Sequence, residues 1–374
     1  MRSMRIGFVL RGYLEKPSRT LAAVLGVTLP VVSILIQFGF YGAVMTTSTQ
    51  FYRHLRFDLV LLSPDYLVFS RPGSIARSRL TQALAVSGVR EVDPLYVGFQ
   101  DWKAPRADAV QQILVLGVDP ERNPFSAVTD PARLRRRDTL LFDRRSRRDL
   151  GVWKGGMVAE LGSRAMDVTD TFAFGPGFSA LGLCVVSDRT FERLAKRSDR
   201  VSIGLVQVDD SRPPEVVAQR LHEILPNDVV IETREQLLAR ERSYWRSATS
   251  LGVNLAVGCG VALLVGIIVI YNVLSSDISN RLSEYATLKA MGFDDGLLSS
   301  LIRIQAGGFA LMAFLPSLGL AEVGYWITRK ETFLPVSMSW FRVAGVLGLG
   351  IAMSLISAGL ALKRLERADP GDLF

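Results

Sequence analysis

Four long apolar segments constrain the fold of this chain more than any other feature. One lies near the start, at residues 21–45, and three follow a long polar block, at residues 251–274, 304–327 and 341–362. Each segment is long enough to cross a membrane, because a hydrocarbon core of about 30 Å requires roughly 20 helical residues. The sequence therefore predicts an α-helical membrane protein with four transmembrane helices in a 1+3 order.

The overall composition agrees with insertion into a membrane. Hydrophobic residues make up 49% of the 374 residues, and the formal net charge is +8. In so apolar a chain, an excess of basic residues indicates contact with membrane lipids. We therefore expect no nucleic-acid partner.

Basic residues predict the orientation of the helices. Residues 1–20 contain five of them, and the link at 275–303 and the tail at 363–374 contain three each. The positive-inside rule places these segments in the cytoplasm, and the block at 46–250 and the loop at 328–340 on the opposite side of the membrane. The first 20 residues are amphipathic and predict an interfacial helix, with a frayed basic flank as the alternative. A cleaved signal peptide fits poorly, because its apolar region has only about 7 to 15 residues.

The polar block between the first two spans has the pattern of an α+β domain. Two strand–helix–strand units are predicted, one near each end of the block, and together they match the split βαβ arrangement. A charged helix at 233–245 then leads into the second span. The predicted elements are strands 57–62, 94–99 and 112–118 around helix 78–86, and strands 201–208 and 229–232 around helix 213–225.

Arginine is concentrated in the middle of the block. Eight arginines lie within sixteen positions: Arg133, Arg135, Arg136, Arg137, Arg144, Arg145, Arg147 and Arg148. One interpretation is a solvated surface that nearby aspartates partly neutralise. The other is an electrostatic docking patch for an acidic partner protein or for anionic headgroups, and its candidate residues are Arg135, Arg136, Arg137, Arg144 and Arg145.

The sequence contains no recognisable catalytic motif. It lacks a GxxxxGK[ST] phosphate loop, HExxH, CxxC and GxSxG, and it has only two histidines, His54 and His222. We therefore expect no catalytic, cofactor-binding or metal-binding residues in this chain.

The apolar pattern of the link between the second and third spans predicts an amphipathic helix. One face carries the residues Ile278, Leu282, Tyr285, Leu288 and Met291. Glu284 and Lys289 lie off that face, and Gly292 is placed to end the helix. Such a helix would lie along the inner membrane surface, where a cytosolic partner could push on it. A lipid-facing re-entrant helix is the alternative that the pattern leaves open.

Glycines are frequent in the first two spans. The first contains Gly26, Gly39 and Gly42, and the second contains Gly252, Gly258, Gly260 and Gly266. Small residues allow two helices to approach closely. They predict either an interface between two copies of the chain or tight packing of helices within one copy.

The amino-acid sequence of the link resembles that of a known family. Arg281 is followed by residues 284–293, which read EYATLKAMGF, and the chain closes with residues 369–372, DPGD. This pattern, with the 1+3 span order, resembles the FtsX/MacB-like permease family of ABC transporters, and most closely its DevC-type branch of glycolipid exporters. By this resemblance the residues that couple to an ATPase are Arg281, Leu282, Glu284, Tyr285, Leu288, Lys289, Met291 and Gly292.

The resemblance implies a homodimeric permease in the bacterial inner membrane. It implies a separate cytosolic ABC ATPase that binds the ATP, a periplasmic membrane-fusion adaptor and an outer-membrane channel. The block would comprise a porter-like domain, residues 46–118 and 201–247, and an inserted subdomain, residues 119–200. The expected mechanism is mechanotransmission that moves an amphiphilic or periplasmic substrate outward.

Three other functions remain open at this point. Two keep the family: a regulator of periplasmic cell-wall hydrolases, and a permease that extracts lipoproteins. The third is a membrane sensor, which fits less well because no predicted cytoplasmic segment exceeds about 30 residues.

Overall fold

The computed structural model describes residues 13–14, 17–104, 110–151, 153–196, 199–280 and 295–367. Within this part the chain divides into two compact units. The helical unit comes from Met1–Gly42, Val253–Ile327 and Val336–Phe374, and the α+β unit from Ala43–Gly252 and Thr328–Pro335.

Nine helices are present in the described part of the chain. In chain order they are α1 Pro17–Thr47, α2 Gln50–Arg53, α3 Ser78–Leu84, α4 Asp188–Ala195, α5 Pro214–Ile224, α6 Arg234–Ser247, α7 Ser250–Asn280, α8 Asp295–Thr332 and α9 Trp340–Arg367. Four of them, α1, α7, α8 and α9, are long and apolar enough to cross a membrane, with mean hydropathies of 2.2, 2.6, 1.5 and 2.0. The four predicted apolar segments lie inside these helices, and the predicted fold class is confirmed.

Eleven strands lie in the described residues between α2 and α6. They are β1 Leu59–Leu62, β2 Ile75–Ala76, β3 Val89–Lys103, β4 Gln111–Val118, β5 Thr139–Asp143, β6 Met157–Leu161, β7 Arg164–Phe172, β8 Leu183–Ser187, β9 Arg200–Val201, β10 Ile203–Val208 and β11 Val230–Thr233. Nine of them form one sheet, in the order β11-β1-β10-β3-β4-β8-β5-β7-β6, and β2 pairs with β9.

One end of the large sheet contains the predicted split βαβ arrangement. Strand β10 lies antiparallel between β1 and β3, and β1 lies antiparallel between β10 and β11. The units β1-α3-β3 and β10-α5-β11 therefore interleave, as the sequence pattern predicts.

Alternate residues of β1 face two separate cores. Leu59 and Leu61 pack in one core with side chains of α3 and α5, and Val60 and Leu62 pack in the other. Leu237 of α6 belongs to this second core, together with Phe51 and Tyr52 of α2. The sheet is consequently buried on both faces in this region, which explains why β1 is apolar along its whole length.

The other end of the sheet closes into a barrel. Besides its place at the end of the strand order, β6 pairs with β3 through Trp102–Leu161 and Lys103–Glu160, so that β3, β4, β8, β5, β7 and β6 form a ring. Residues 119–200, predicted as an inserted subdomain, supply four strands of this ring. The other two strands, β3 and β4, belong to the sequence that precedes the insertion. The insertion therefore extends the same sheet.

Aromatic side chains fill part of the barrel core. Trp102 lies 5.2 Å from Phe142 and 4.9 Å from Trp153, measured between ring centroids. The indole N–H groups of Trp102 and Trp153 both donate to the carbonyl oxygen of Leu150, at 3.1 and 2.8 Å. Their polar atoms are thus satisfied inside an apolar core, as buried tryptophan requires.

Candidate functional site

The predicted ATPase-coupling residues lie in the segment 281–294, outside the described residues. This applies to Arg281, Leu282, Glu284, Tyr285, Leu288, Lys289, Met291 and Gly292. Their role therefore remains a prediction from the sequence.

Side chains on both sides of the link contact each other. The Gln305 side chain, in α8, donates a hydrogen bond of 2.7 Å from Nε2 to Oδ2 of Asp277, in the last turn of α7. The hydroxyl of Tyr13 donates to the backbone carbonyl of Gln305, also at 2.7 Å. The two ends of the link and the N-terminal region are thereby held together.

The predicted arginine patch is divided between two places. Arg135, Arg136 and Arg137 precede β5, whereas Arg144 and Arg145 follow it. All five are exposed. Seven residue steps of extended chain separate Arg137 from Arg144, which corresponds to roughly 20 Å. The structure therefore contains two groups of arginines, one at each end of the strand.

A buried carboxylate joins the segments next to the first two spans. Glu241 of α6 is fully buried, and its Oε1 accepts hydrogen bonds from the hydroxyls of Tyr52, at 2.7 Å, and Tyr66, at 2.5 Å. The backbone N–H of Phe69 donates to the same oxygen at 2.8 Å. We call Tyr52, Tyr66, Phe69 and Glu241 the neck cluster.

Sequence position explains why the neck cluster matters. Tyr52 lies in α2, which only two residues separate from the end of α1. Glu241 lies in α6, which two residues likewise separate from α7. Because α1 and α7 contain the first two candidate spans, the cluster links the chain leaving one span to the chain entering the next.

Two arginines reinforce this region. The guanidinium group of Arg234 donates to the carbonyl oxygens of Tyr52, Leu55 and Phe57, at 2.5, 3.3 and 3.1 Å. These carbonyls lie at and just beyond the end of α2, where helical carbonyls have no partner within the helix. Arg240 pairs with Glu232 at 2.7 Å and donates to the carbonyl of Tyr66 at 3.1 Å.

Burial controls the protonation of the neck cluster. It raises the pKa of Glu241, while hydrogen bonds from Tyr66, Tyr52 and the Phe69 N–H oppose that rise. Burial and the neighbouring carboxyl group also raise the pKa of Tyr52 and Tyr66 well above the ordinary phenol value. Both hydroxyls therefore stay protonated and act as hydrogen-bond donors to the carboxylate.

Most glycines of the first two spans face side chains of the same chain. A methyl group built on Gly39 would overlap the ring of Tyr325, and one on Gly42 would overlap the guanidinium of Arg342. Gly258 and Gly266 likewise face Gln37 and Met353. Tight packing within one copy is therefore the use that the structure shows for these glycines. Gly26 and Gly252 also face atoms of the same chain, whereas Gly260 has nothing within 4 Å among the described residues.

Substitution of Gly39 tests this helix packing. Gly39→Ala is expected to destabilise the protein by about 1 to 3 kcal/mol, because the added methyl forces the Tyr325 ring away from α1. Gly260→Ala is the matched control, since it adds a methyl to open space and improves helix propensity. Thermal unfolding in detergent measures the difference, and equal midpoints for the two variants would contradict the packing described here.

Residues 256–370 match the family described as FtsX-like permease C-terminal. The matched region contains three of the four candidate spans and the link with its predicted coupling residues. This part of the chain is an FtsX-like permease domain. The predicted FtsX-like permease resemblance is thereby confirmed for residues 256–370, whereas the DevC-type branch stays a prediction.

Solved structures provide two further comparisons. The periplasmic region of MacB from Actinobacillus actinomycetemcomitans is 12% identical, with a TM-score of 0.38, over 49% of this chain and 92% of that one. The extracellular domain of the ABC-type transporter YknZ from Gram-positive bacteria is also 12% identical, with a TM-score of 0.36, over 47% of this chain and 99% of that one. No curated protein sequence matches the chain.

The FtsX-like match places residues 256–370 in a family whose members are generally non-enzymatic membrane components. The family motif in the link was visible in the sequence, whereas the neck cluster was not. Glu241 lies in a helix with five other charged residues, Arg234, Glu235, Arg240, Arg242 and Arg246, which predicts exposure. The only available signal was Leu237, one helical turn earlier, which marks the buried face.

Proposed function

We propose that the protein is the permease subunit of an ABC-type exporter whose ATP is bound and hydrolysed by a separate cytosolic ATPase. The FtsX-like permease match carries this proposal, because it includes the link at 275–303 together with the spans on both sides of it. A link of this length, held at both ends by the Asp277–Gln305 contact, is suited to receive force from a cytosolic subunit.

The proposed mechanism is transmission of motion along helices. Closure of the ATPase pair moves the link, and α1 and α7 transmit that motion to the far side of the membrane. The neck cluster supports this step, because Glu241 of α6 accepts a hydrogen bond from the hydroxyl of Tyr52 in α2. A two-state rearrangement of packed helices needs rigid connections and no reactive side chain.

The assembly that we propose has further members. Two copies of the chain form the permease in the bacterial inner membrane, with the termini in the cytoplasm and the α+β unit in the periplasm. A periplasmic membrane-fusion adaptor and an outer-membrane channel receive the cargo. Four spans per copy leave no wide polar conduit, so the cargo is amphiphilic or enters from the periplasmic side.

Nucleotide binding tests whether ATP is bound by this chain or by a separate ATPase subunit. The purified chain is expected to show no saturable affinity for ATP, since it contains no phosphate-loop motif. ATP hydrolysis should be recovered only when a cognate ATPase copurifies with it, and that activity should change when the permease is present. Saturable ATP binding to the isolated chain would contradict the proposal.

Thiol labelling tests the orientation. In a background without Cys184 and Cys259, single cysteines at Ser126 and Ser283 are expected to react on opposite sides of the membrane. Ser126 is exposed in the α+β unit and should label from outside with an impermeant reagent, whereas Ser283 should label only after permeabilisation. The reverse pattern would overturn the direction of export.

A further inference from the structure

The arginines that follow β5 lie next to the ends of two candidate spans. Arg148 donates a hydrogen bond of 3.4 Å from Nη2 to the carbonyl oxygen of Lys330, in the last turn of α8. The candidate span within α8 ends at Thr332. We call Arg144, Arg145, Arg147 and Arg148 the span-end arginines.

A second set of contacts places the same group beside α1. The carboxylate of Asp143, directly before the group, accepts N–H hydrogen bonds from Phe174, at 2.9 Å, and Gly175, at 2.6 Å. The carbonyl of Phe174 in turn accepts from the side chain of Gln50, at 3.0 Å. Gly177 packs against Thr47, the last residue of the first candidate span.

The loop that Arg148 touches is confined to the membrane boundary. Only seven residues, 333–339, separate α8 from α9, and both helices contain candidate spans. Exposed tryptophans lie on either side of this loop in the sequence: Trp326 is 56% exposed and Trp340 is 77% exposed. Exposed tryptophan at the ends of spans is typical of the membrane–water boundary. Arg148 therefore contacts the chain within two residues of the end of a candidate span.

The charge of this group is only partly neutralised. Among the described residues, Arg147 pairs with Asp149 at 3.0 Å, and neither Arg144 nor Arg145 forms a salt bridge. The nearest acid in sequence, Asp143, is fully buried and points its oxygens at backbone N–H groups. At the other end of β5, Arg133 pairs with Asp130 and Asp170 and Arg135 pairs with Glu121, whereas Arg136 and Arg137 form no salt bridge among the described residues.

We propose that the span-end arginines bind the phosphate groups of anionic lipids in the leaflet on which the α+β unit stands. Guanidinium groups fit phosphate oxygens in bidentate fashion, and basic residues near an anionic surface attract its headgroups. An acidic protein partner is less suited to this position, because Arg148 contacts the last turn of a candidate span. The inference requires only that the chain spans a membrane, and it does not depend on the proposed ATPase.

Native mass spectrometry of the full-length protein tests the proposal. The protein in mild non-ionic detergent is mixed with phosphatidylglycerol or with phosphatidylcholine of the same acyl chains, and the lipids that remain bound are counted. We expect the wild type to retain phosphatidylglycerol in excess over phosphatidylcholine. The variant R144Q/R145Q/R147Q/R148Q should weaken that preferential binding by roughly tenfold or more.

A matched control shows whether lipid binding depends on this particular group of arginines or only on the net charge of the protein. The variant R135Q/R136Q/R137Q removes three exposed arginines from the other end of β5 and should keep the phosphatidylglycerol excess. If the quadruple variant does not fold, R144Q/R145Q replaces it, because neither side chain forms a salt bridge in the described structure.

Three results would overturn the proposal. The first is an unchanged lipid excess in the folded variant, and the second is an equal loss in the control. The third is displacement of phosphatidylglycerol by inorganic phosphate at the same concentration, which would make the group a site for free anions.

Discussion

Replacing Glu241 with alanine is expected to lower the free energy of unfolding by roughly 3 kcal/mol or more. The substitution removes the acceptor shared by the hydroxyls of Tyr52 and Tyr66 and the N–H of Phe69 in a place that solvent does not reach, and because the two hydroxyls contact each other, two of the three donors are left without an acceptor. Each buried donor without an acceptor costs about 1 to 3 kcal/mol. Thermal unfolding of the full-length protein in detergent, followed by tryptophan fluorescence, measures the loss.

The neighbouring Glu235 provides the control. It lies in the first turn of the same helix and is exposed, so that Glu235→Ala should cost only a few tenths of a kcal/mol through the helix dipole. If Glu241→Ala were no more destabilising than Glu235→Ala, the neck cluster would have no structural role.

Glutamine at position 241 has nearly the shape of glutamate but cannot ionise, so that it isolates the effect of the Glu241 charge on stability. Because burial raises the pKa of Glu241, the folded protein holds this proton at pH values where the unfolded chain has released it. The stability that the raised pKa contributes is complete below the ordinary carboxyl pKa and is lost as the pH rises through the raised value. The stability of the wild type relative to Glu241→Gln should therefore fall over that pH range. A difference that is independent of pH would indicate that the pKa of Glu241 is not raised.

Variants of Glu241 that still fold test the role of the neck cluster in the proposed mechanism. Glu241→Gln keeps an acceptor oxygen for the tyrosine hydroxyls and removes the charge. If α2 and α6 must move together during export, a folded Glu241→Ala protein, which lacks the acceptor, should transport more slowly while its ATPase partner hydrolyses ATP at the normal rate, and Glu241→Gln should transport normally. This expectation follows from the position of Tyr52 and Glu241 next to the first two spans.

Local patterns explain what could be predicted from the sequence. Membrane spans depend on the mean hydropathy of about 20 consecutive residues, so α1, α7, α8 and α9 are visible without any tertiary information. The strands and helices of the split βαβ units have alternating or helical apolar patterns, and helix α6 has a capping box formed by Thr233 and Gln236.

Long-range pairing explains what could not be predicted. The barrel depends on β4 lying parallel to β8, with Leu114 opposite Leu183, and on the contact of Trp102 with Leu161. Nothing in the alternation of either strand specifies a partner so distant in sequence. Glu241 was missed for a related reason, because a carboxylate in a charged helix becomes a buried acceptor only when Tyr52 and Tyr66 arrive from elsewhere in the chain.

A Gly-Gly insertion after Ala286 is expected to abolish export while ATP hydrolysis continues. Two glycines in the middle of the predicted link helix cost about 1 kcal/mol each in helix stability, and they rotate Leu288 and Met291 away from the apolar face. The ATPase would still bind and hydrolyse ATP, but its movement would no longer reach α7 and α8. Transport and ATPase activity of the reconstituted complex, measured on the same sample, give the ratio that should collapse.

Two matched variants decide whether the link itself transmits the motion. Glu284→Lys reverses one charge off the apolar face and leaves the helix length unchanged, so that it should reduce coupling only if an ATPase docks there. The same Gly-Gly insertion after Leu334, between α8 and α9, lengthens a loop that the proposed mechanism does not use and should leave transport intact. Normal export with the insertion after Ala286 would remove the link from the mechanism. Because the proposed ATPase acts on this chain only through the link, that result would require a different route for the energy of ATP.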